Sequence, residues 1–530
     1  MGEMGTPKLE SLARDRFGVL SFREQQKEAM EAILAGRDCL VIHPTGGGKS
    51  LIFQLTALVL PGLTLVVSPL VSLIRDQVRR LSEAGITETA MLSSVMSPED
   101  RRETMRRLPG KKILFVTPER AARKDFLSDL AAAGVMVSQM AVDEAHCVSR
   151  WGRSFRPDYR KLSGFRSVFP EAVVSAFTGT ASPEVERDIV RLLGLRDPVR
   201  FHRSARRPNL ALRMVFTPDA AETLLANLPP EGASIVYMPS RRETERLAHL
   251  LRAHGHDAMA YHAGMERAER EVSQDAFMRS RRPVMVATSA FGMGIDRPDI
   301  RAVFHAGSPL SLEDWYQEAG RAGRDGKPAR AEILLGRGEL REMERRWEGF
   351  YPSWKRLRRM AAKSVGPIGE RQTLTELTAV LGVDRHNLSR AKAEYQAMRE
   401  RTGKSMREMR AFVTASGCRQ DLVAAAFGED DKGCVGCGGC VSEDGTSCPE
   451  SSAMLSALSD DFRNVRGLFY ALTGTGLSRA WSGEWGVLRG TDSDRLEAVL
   501  HDLVSKGLAE FGVEGESVRI SPKYRKTGRK

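Results

Sequence analysis

Apolar residues in this chain gather into short runs, most of them closed by Gly, Pro, Ser or Thr, with stretches of helical apolar spacing between them. The runs at 39–43, 63–67, 112–116, 135–142 and 173–177 predict buried strands, because a strand covered on both faces has no polar alternate positions. A second block repeats the alternation, with strands predicted at 234–238, 284–288 and 302–305 and a helix over 241–253. Strand and helix alternating in this way predict an α/β fold of two parallel-sheet units in tandem, spanning 1–206 and 207–336.

The pattern then changes. Residues 337–359 are basic and helical, with Trp347, Tyr351 and Trp354 interleaved. Such a segment either lies along a nucleic acid or turns its aromatics into a core. Two short helical patterns over 374–397, joined by Gly382-Val383-Asp384, have helix-turn-helix spacing and complete a linker unit at 337–415. A cysteine-rich unit occupies 416–450. Helices at 460–473 and 493–506, then strands at 508–513 and 518–521 around Glu514-Gly515-Glu516, predict a winged helix over 451–522, followed by a basic tail at 523–530.

Charge narrows the partner. Lys and Arg number 80 against 68 Asp and Glu, a net charge of +12, which favours a polyanion held by counterion release. The longest apolar stretch, 51–67, is broken by Gln54, Pro61 and Gly62 and falls short of the ~18 residues of a membrane span. Seven cysteines, an odd number with most of them gathered late, suit a reducing compartment and a metal site better than disulfides. The expected location is the cytoplasm, in association with the chromosome.

Chemistry sits at the predicted strand ends. The strand at 39–43 runs into Pro44-Thr45-Gly46-Gly47-Gly48-Lys49-Ser50 and an apolar helix. Glycines let backbone N–H groups close on phosphates, Lys49 reaches the β/γ-phosphates, and the Ser50 hydroxyl binds Mg²⁺. His43 stands where this loop usually has its first glycine. Upstream, Phe17, Gly18, Phe22, Arg23 and Gln26 form a candidate adenine-reading segment, since an amide offers the donor and acceptor that suit an adenine edge. Asp143 and Glu144 follow the strand at 135–142, where carboxylates hold Mg²⁺ and polarise an attacking water.

The loop after them carries Trp151, Arg153, Phe155, Arg156 and Tyr159, aromatics and arginines suited to bases and phosphates. Ser68-Pro69 and Thr117-Pro118 lie at strand ends where small polar residues hold a strand's phosphates, and Thr178-Gly179-Thr180 could sense the γ-phosphate. The second unit has no P-loop, but it does have Phe291-Gly292-Met293-Gly294-Ile295-Asp296 and Gln317-Glu318-Ala319-Gly320-Arg321-Ala322-Gly323-Arg324. Arg321 and Arg324, one helical turn apart on a unit without a nucleotide site, read as arginine fingers for its neighbour's ATP. Cys418, Cys434, Cys437 and Cys440 offer four thiolates in a Gly-rich setting that suits structural Zn²⁺. An iron-sulfur cluster using Cys440 and Cys448 is the rival.

The motif order from Phe17 to Gly326 resembles the superfamily 2 helicases, and the aromatic loop with GMGID and QEAGRAGRDG is similar to that of the RecQ DNA helicases. The resemblance departs at Arg150, Arg153, Ser154 and Gly179. It implies two RecA-like domains, a zinc-binding helical module and a winged helix, with ATP-driven 3′ to 5′ movement on single-stranded DNA and unwinding of recombination and repair intermediates. It further implies that Arg23 and Gln26 read adenine and that Asp143 binds Mg²⁺ through water. Glu144 would orient the attacking water, Arg321 and Arg324 touch the γ-phosphate, and Trp151, Phe155 and Arg156 sense DNA. Single-strand-binding and recombination proteins are the expected partners. A double-strand translocase, an RNA helicase of the same superfamily and a non-catalytic DNA-binding protein are the competing functions.

Overall fold

The computed structural model describes residues 6–429, except 45, 94–95, 150–156, 218, 293–294, 296, 337, 363–372, 376, 379–380, 382, 384–386 and 416–417, together with 463–464, 500, 509–511 and 517–520. Two parallel sheets dominate. The first comprises β1 (Cys39–Ile42), β2 (Leu63–Val67), β3 (Thr89–Leu92), β4 (Ile113–Val116), β5 (Val137–Val142), β6 (Val173–Thr178) and β7 (Val199–His202), in the order β3-β4-β2-β5-β6-β1-β7. Its central strands are buried along their whole length in β1, β2, β4 and β6, as a sheet packed on both faces requires. The order sets β5, β6 and β1 side by side, so the loops after these three strands converge at one carboxyl edge, where open α/β sheets bind ligands.

The second sheet runs β10 (Asp257–Tyr261), β11 (Pro283–Ala287), β9 (Ala233–Tyr237), β12 (Ile300–Ala306), β13 (Ala329–Leu335) and β8 (Leu210–Phe216), with every pairing parallel. The predicted helix over 241–253 forms at Arg241–Ala253, capped by the Ser240 side chain. Ser182, Asp219 and Ser311 cap other helices in the same way, each accepting from a first-turn N–H that has no helical partner.

After β13 the structure decides between the two readings of the aromatics. Trp347 and Trp354 turn inward: Trp347 joins the core of the second sheet, and the Trp354 ring lies 5.7 Å from that of Tyr395. Of the two short helices expected over 374–397, the second extends as a 23-residue helix, Lys392–Thr414, and its distal half packs Met406, Met409, Phe412 and Val413 into that same core. Phe412 stacks 4.9 Å from Trp315, so this part of the linker is structural and its apolar face is occupied. Gly382 and Asp384 lie outside the described residues.

A three-stranded antiparallel piece joins β14 (Arg463–Asn464), β15 (Ala509–Phe511) and β16 (Ser517–Ile520) in the order β14-β16-β15. The pairing of β15 with β16 matches the predicted hairpin. Arg463–Asn464 is a strand where a helix over 460–473 was expected, because its backbone is taken up by pairing with Ser517 and Val518. Glu514-Gly515-Glu516 and the tail at 523–530 lie outside the described residues.

Candidate active site

The helix Lys49–Val59 begins directly after the glycines that follow β1. Gly46 and Gly48 adopt left-handed backbone with φ of 81° and 77°, a region costly for any side chain. The loop is also tightly packed: a methyl on Gly47 would stand 2.8 Å from the Pro44 carbonyl oxygen, and one on Gly48 would stand 2.3 Å from Gln26 Nε2. Gln26 Nε2 donates to the Gly48 carbonyl at 3.0 Å, while its Oε1 accepts from the Arg23 N–H at 2.8 Å. The Arg23 guanidinium donates to the Gly46 carbonyl. The two candidate adenine readers are thus buttresses of the phosphate loop as well. Thr45 lies outside the described residues.

Lys49 Nζ donates to the His43 carbonyl at 2.8 Å. Its burial holds the ammonium pKa below the ordinary lysine value, against the pull of Glu144 and Asp143. His43, at the position where a glycine was expected, is buried in the core. Burial, with the charges of Arg203 and Lys49, pushes its imidazole down to about 3, so it is neutral at physiological pH.

Asp143 closes β5. Its N–H donates to the Val67 carbonyl at 2.9 Å, and its Oδ1 accepts from the Glu144 N–H at 3.0 Å. Burial first, and the neighbouring Glu144 second, push its carboxyl up to about 7. Glu144 sits at φ 47°, a left-handed conformation that turns its side chain back toward the cleft, 3.3 Å from His146 Nδ1. Ser50 Oγ accepts from Gln77 Nε2 at 3.1 Å, and Gln77 in turn accepts from Gln54 at 2.5 Å. Two carboxylates and a hydroxyl in one cleft are an all-oxygen donor set. A buried carboxyl with so high a pKa is relieved by a cation, so these residues fit Mg²⁺.

The second sheet completes the cleft. The helix Leu312–Ala319 stops at Gly320, and Arg321 and Arg324 project from the turns beyond it, which corrects their placement one helical turn apart. Arg321 is buried and donates to the Gly292 carbonyl, while Arg324 Nη1 donates to the Ile295 carbonyl at 2.8 Å. Arg324 reaches the other domain: a methyl on Gly46 would lie 3.4 Å from its Cγ. A cavity of about 640 Å³ is lined by Arg23, Gly46, Lys49, Ser50, Asp143, Glu144, Arg321 and Arg324, so one cleft gathers the candidates from both sheets.

Comparison with known proteins meets this geometry. Residues 23–188 match the DEAD/DEAH box helicase family and residues 218–326 the helicase conserved C-terminal domain. The ATP-dependent DNA helicase RecQ of Pasteurella multocida is 44% identical over 321 residues, covering 60% of this chain and 50% of that protein. The probable ATP-dependent DNA helicase RecS of Bacillus subtilis is 39% identical, covering 64% of this chain and 68% of its own length. The chain belongs to the RecQ family of superfamily 2 helicases. It spans about half the length of the Pasteurella relative and about two thirds of the Bacillus one. A crystal structure of the DUF1998 helicase MrfA bound to DNA shares the fold, with a TM-score of 0.53 at 16% identity over 65% of this chain and 53% of that one.

Within this RecQ-family cleft, the residue that motif reading left without a role is His146. Its Nδ1 lies 3.0 Å from Thr178 Oγ1, and its Nε2 lies 3.4 Å from Gln317 Nε2 of the second domain. It therefore ties Glu144, the threonine after β6 and the second domain together. Its presence within DEAH was the available signal. Tyr159 is corrected: it is fully buried, and its hydroxyl donates to the Asp143 carbonyl at 3.0 Å, so it props the DEAH turn and offers no face to a base. Trp151, Arg153, Phe155 and Arg156 lie outside the described residues, as do Met293, Gly294 and Asp296.

Cys418 sits at the N-cap of the helix Arg419–Ala426, and Cys434, Cys437, Cys440 and Cys448 lie outside the described residues. Among the described residues no helix is long and apolar enough to cross a membrane.

Proposed function

We propose that the protein is a DNA-dependent ATPase that unwinds duplex DNA while moving 3′ to 5′ on one strand, acting in recombination and repair. One observation carries the reading: Arg324 of the second domain lies against Gly46 of the first domain's phosphate loop, so the nucleotide site is shared between two bodies. A site divided in this way couples hydrolysis to domain movement, because the arginines stabilise the transition state only when the cleft is closed. Arg23 and Gln26 read the adenine; Thr45, the loop glycines and Lys49 hold the phosphates. Ser50 and Asp143 hold Mg²⁺, which neutralises phosphate charge when bound. Glu144 orients the water, with His146 fixing its carboxylate, and Arg321 and Arg324 meet the charge that develops on the γ-phosphate.

Trp151, Arg153, Phe155 and Arg156 form the loop that senses single-stranded DNA and signals to the adjoining Asp143-Glu144. The net charge of +12 supports a polyanionic track. Cys418, Cys434, Cys437 and Cys440 hold a structural Zn²⁺, supported by four thiolates at suitable spacing, and a winged helix follows that docks duplex. Single-strand-binding and recombination proteins are the proposed partners, and the place of action is the chromosome in the cytoplasm. Separating one base-pair step costs on average about 1.4 kcal/mol of stacking, a load within reach of one ATP.

The test is hydrolysis by the purified protein alone, with single-stranded DNA and with RNA, beside unwinding of duplexes carrying a 3′ or a 5′ overhang. Strong stimulation by DNA with unwinding from the 3′ overhang only is expected, and Lys49→Ala should abolish turnover. Stimulation without strand separation would make the protein a translocase, stimulation by RNA alone an RNA helicase, and no hydrolysis a DNA-binding scaffold.

A further inference from the structure

The segment joining the two sheets, between His202 and Leu210, does more than connect them. Arg207, in its middle, is half-buried and aims its guanidinium at the turn that carries the two arginine fingers. Its Nη2 donates to the carbonyls of Ala322 and Gly323, each at 3.0 Å, and its Nη1 to that of Gly320 at 3.4 Å. Two residues on, Asn209 Nδ2 donates to the Gly323 carbonyl at 2.8 Å and to that of Lys327 at 3.0 Å. Between them the two side chains hold four carbonyls in the stretch bounded by Gly320 and Lys327.

These carbonyls lie beyond the end of the helix Leu312–Ala319, outside its hydrogen-bond ladder, and among the described residues only a backbone turn bond from the Gly326 N–H to the Gly323 carbonyl at 3.1 Å pins them from within. The turn is also shaped for this grip: Gly323 has φ 61°, and a methyl there would stand 2.5 Å from Asn209 Nδ2. Arg321 and Arg324 lie on either side of the gripped carbonyls of Ala322 and Gly323, so their backbone can shift only if Arg207 lets go.

Arg207 is itself held. Gln420, on the helix Arg419–Ala426, accepts from the Arg207 N–H at 3.0 Å through Oε1 and donates through Nε2 to the Arg207 carbonyl, also at 3.0 Å. A fixed backbone and a planar fork with several donors form a rigid bracket, which a lysine could not reproduce.

We propose that Arg207, assisted by Asn209, is the positioning residue that holds the Gly320–Gly323 turn so that Arg321 and Arg324 point at the γ-phosphate. The inference rests on the reading of these two arginines as fingers. Because Arg207 acts through them, its removal lowers the rate at saturating ATP and leaves nucleotide affinity in place. A group that touched ATP directly would change affinity as well.

The experiment is DNA-stimulated ATP hydrolysis by the full chain in Arg207→Ala, Arg207→Lys, Asn209→Ala, Arg324→Ala and the Arg207→Ala/Arg324→Ala double variant, with ADP affinity measured on each. Arg207→Ala should lower kcat about 10- to 100-fold with KM within about twofold. Arg207→Lys should recover little, and Asn209→Ala should show a smaller loss in the same direction. The decisive result is the double variant, which should be no more than about twofold below Arg324→Ala, since two changes in one chain of contacts do not add.

Fully multiplicative losses, or a KM that rises while kcat holds, would overturn the proposal. If Arg324→Ala loses turnover while Arg207→Ala and Asn209→Ala keep it, the positioning role fails alone. If Arg324→Ala and an Arg321→Ala variant measured beside it both keep turnover, the finger reading fails and takes the inference with it. Should Arg207→Ala not fold, as loss of its cooperative thermal unfolding transition would reveal, Asn209→Ala and its double variant with Arg324→Ala carry the same test through the same turn; loss of ADP binding by a folded Arg207→Ala would overturn the proposal.

Discussion

Asp143 carries the cost of the candidate site in a single side chain. Its carboxyl is buried beside Glu144, and its pKa rises from the ordinary 3.8 to about 7. The unfolded chain therefore releases this proton first as pH climbs. Stability contributed by the neutral form is complete below about pH 4 and is lost as pH rises to about 7, by an amount on the order of a few kcal/mol. Asp143→Asn, which cannot ionise, should melt several degrees above the parent at pH 8, with the gap closing toward pH 4, while its hydrolysis is lost. Thermal melts of both proteins across this range check the sign, and a gap that widened toward acid would refute it. Gly292 makes a second point at this scale. Its φ is 146°, and a methyl there would stand 2.5 Å from the Arg321 guanidinium, so the first residue of GMGID is glycine because the Arg321 side chain occupies its side-chain space.

At the scale of elements, legibility in the sequence followed burial. The strands β1, β2, β4, β5, β6, β9, β11 and β12 announce themselves as apolar runs because they are covered on both faces. Five others in the two parallel sheets did not. β3, β7, β8 and β10 are edge strands: β7 reads Val-Arg-Phe-His with only Phe201 buried, and β10 begins at an exposed Asp257. β13 is interrupted by Arg330 and Glu332, which pair with each other, and so it loses its apolar signature. The phosphate loop and DEAH were legible because their chemistry is local, whereas the role of His146 depends on contacts with the end of β6 and with the second domain, and that of Tyr159 on the fold that returns it to the Asp143 carbonyl.

The helix Lys392–Thr414 shows the same limit. Its N-terminal part looked like half of a DNA-binding pair, but its distal face fills the second core, with Phe412 against Trp315. Phe412→Ala should cost about 3 kcal/mol of that domain's stability. Urea unfolding followed through tryptophan fluorescence reads it, and an unchanged midpoint would remove the helix from the core.

At the scale of the whole molecule, the two sheets are joined through the segment 203–209, and any hinge motion between them passes through it. The hinge is latched from outside both sheets. Glu429 accepts from the Ala205 N–H and from Ser204 Oγ, each at 2.6 Å, and pairs with Arg206 at 3.0 Å, while Asp421 takes the same guanidinium at 3.2 Å. The Ala205 carbonyl is taken by the Tyr316 hydroxyl, and the Tyr316 ring packs 5.6 Å from Phe427. The turn after the helix headed by Cys418 thus holds the N–H of a buried residue in this link, and the helix Leu312–Ala319 holds its carbonyl. Removing the carboxylate strands the Ala205 N–H, at a cost of about 1–3 kcal/mol. Local opening of that size raises the population of a cleavable hinge about tenfold for each 1.4 kcal/mol. Glu429→Ala should therefore be cut by trypsin after Arg203 or Arg206 about ten times faster than the parent, and Glu429→Gln, which keeps one acceptor for Ala205, should fall between them. Equal cleavage rates in all three proteins would mean that the hinge is held by the second core alone.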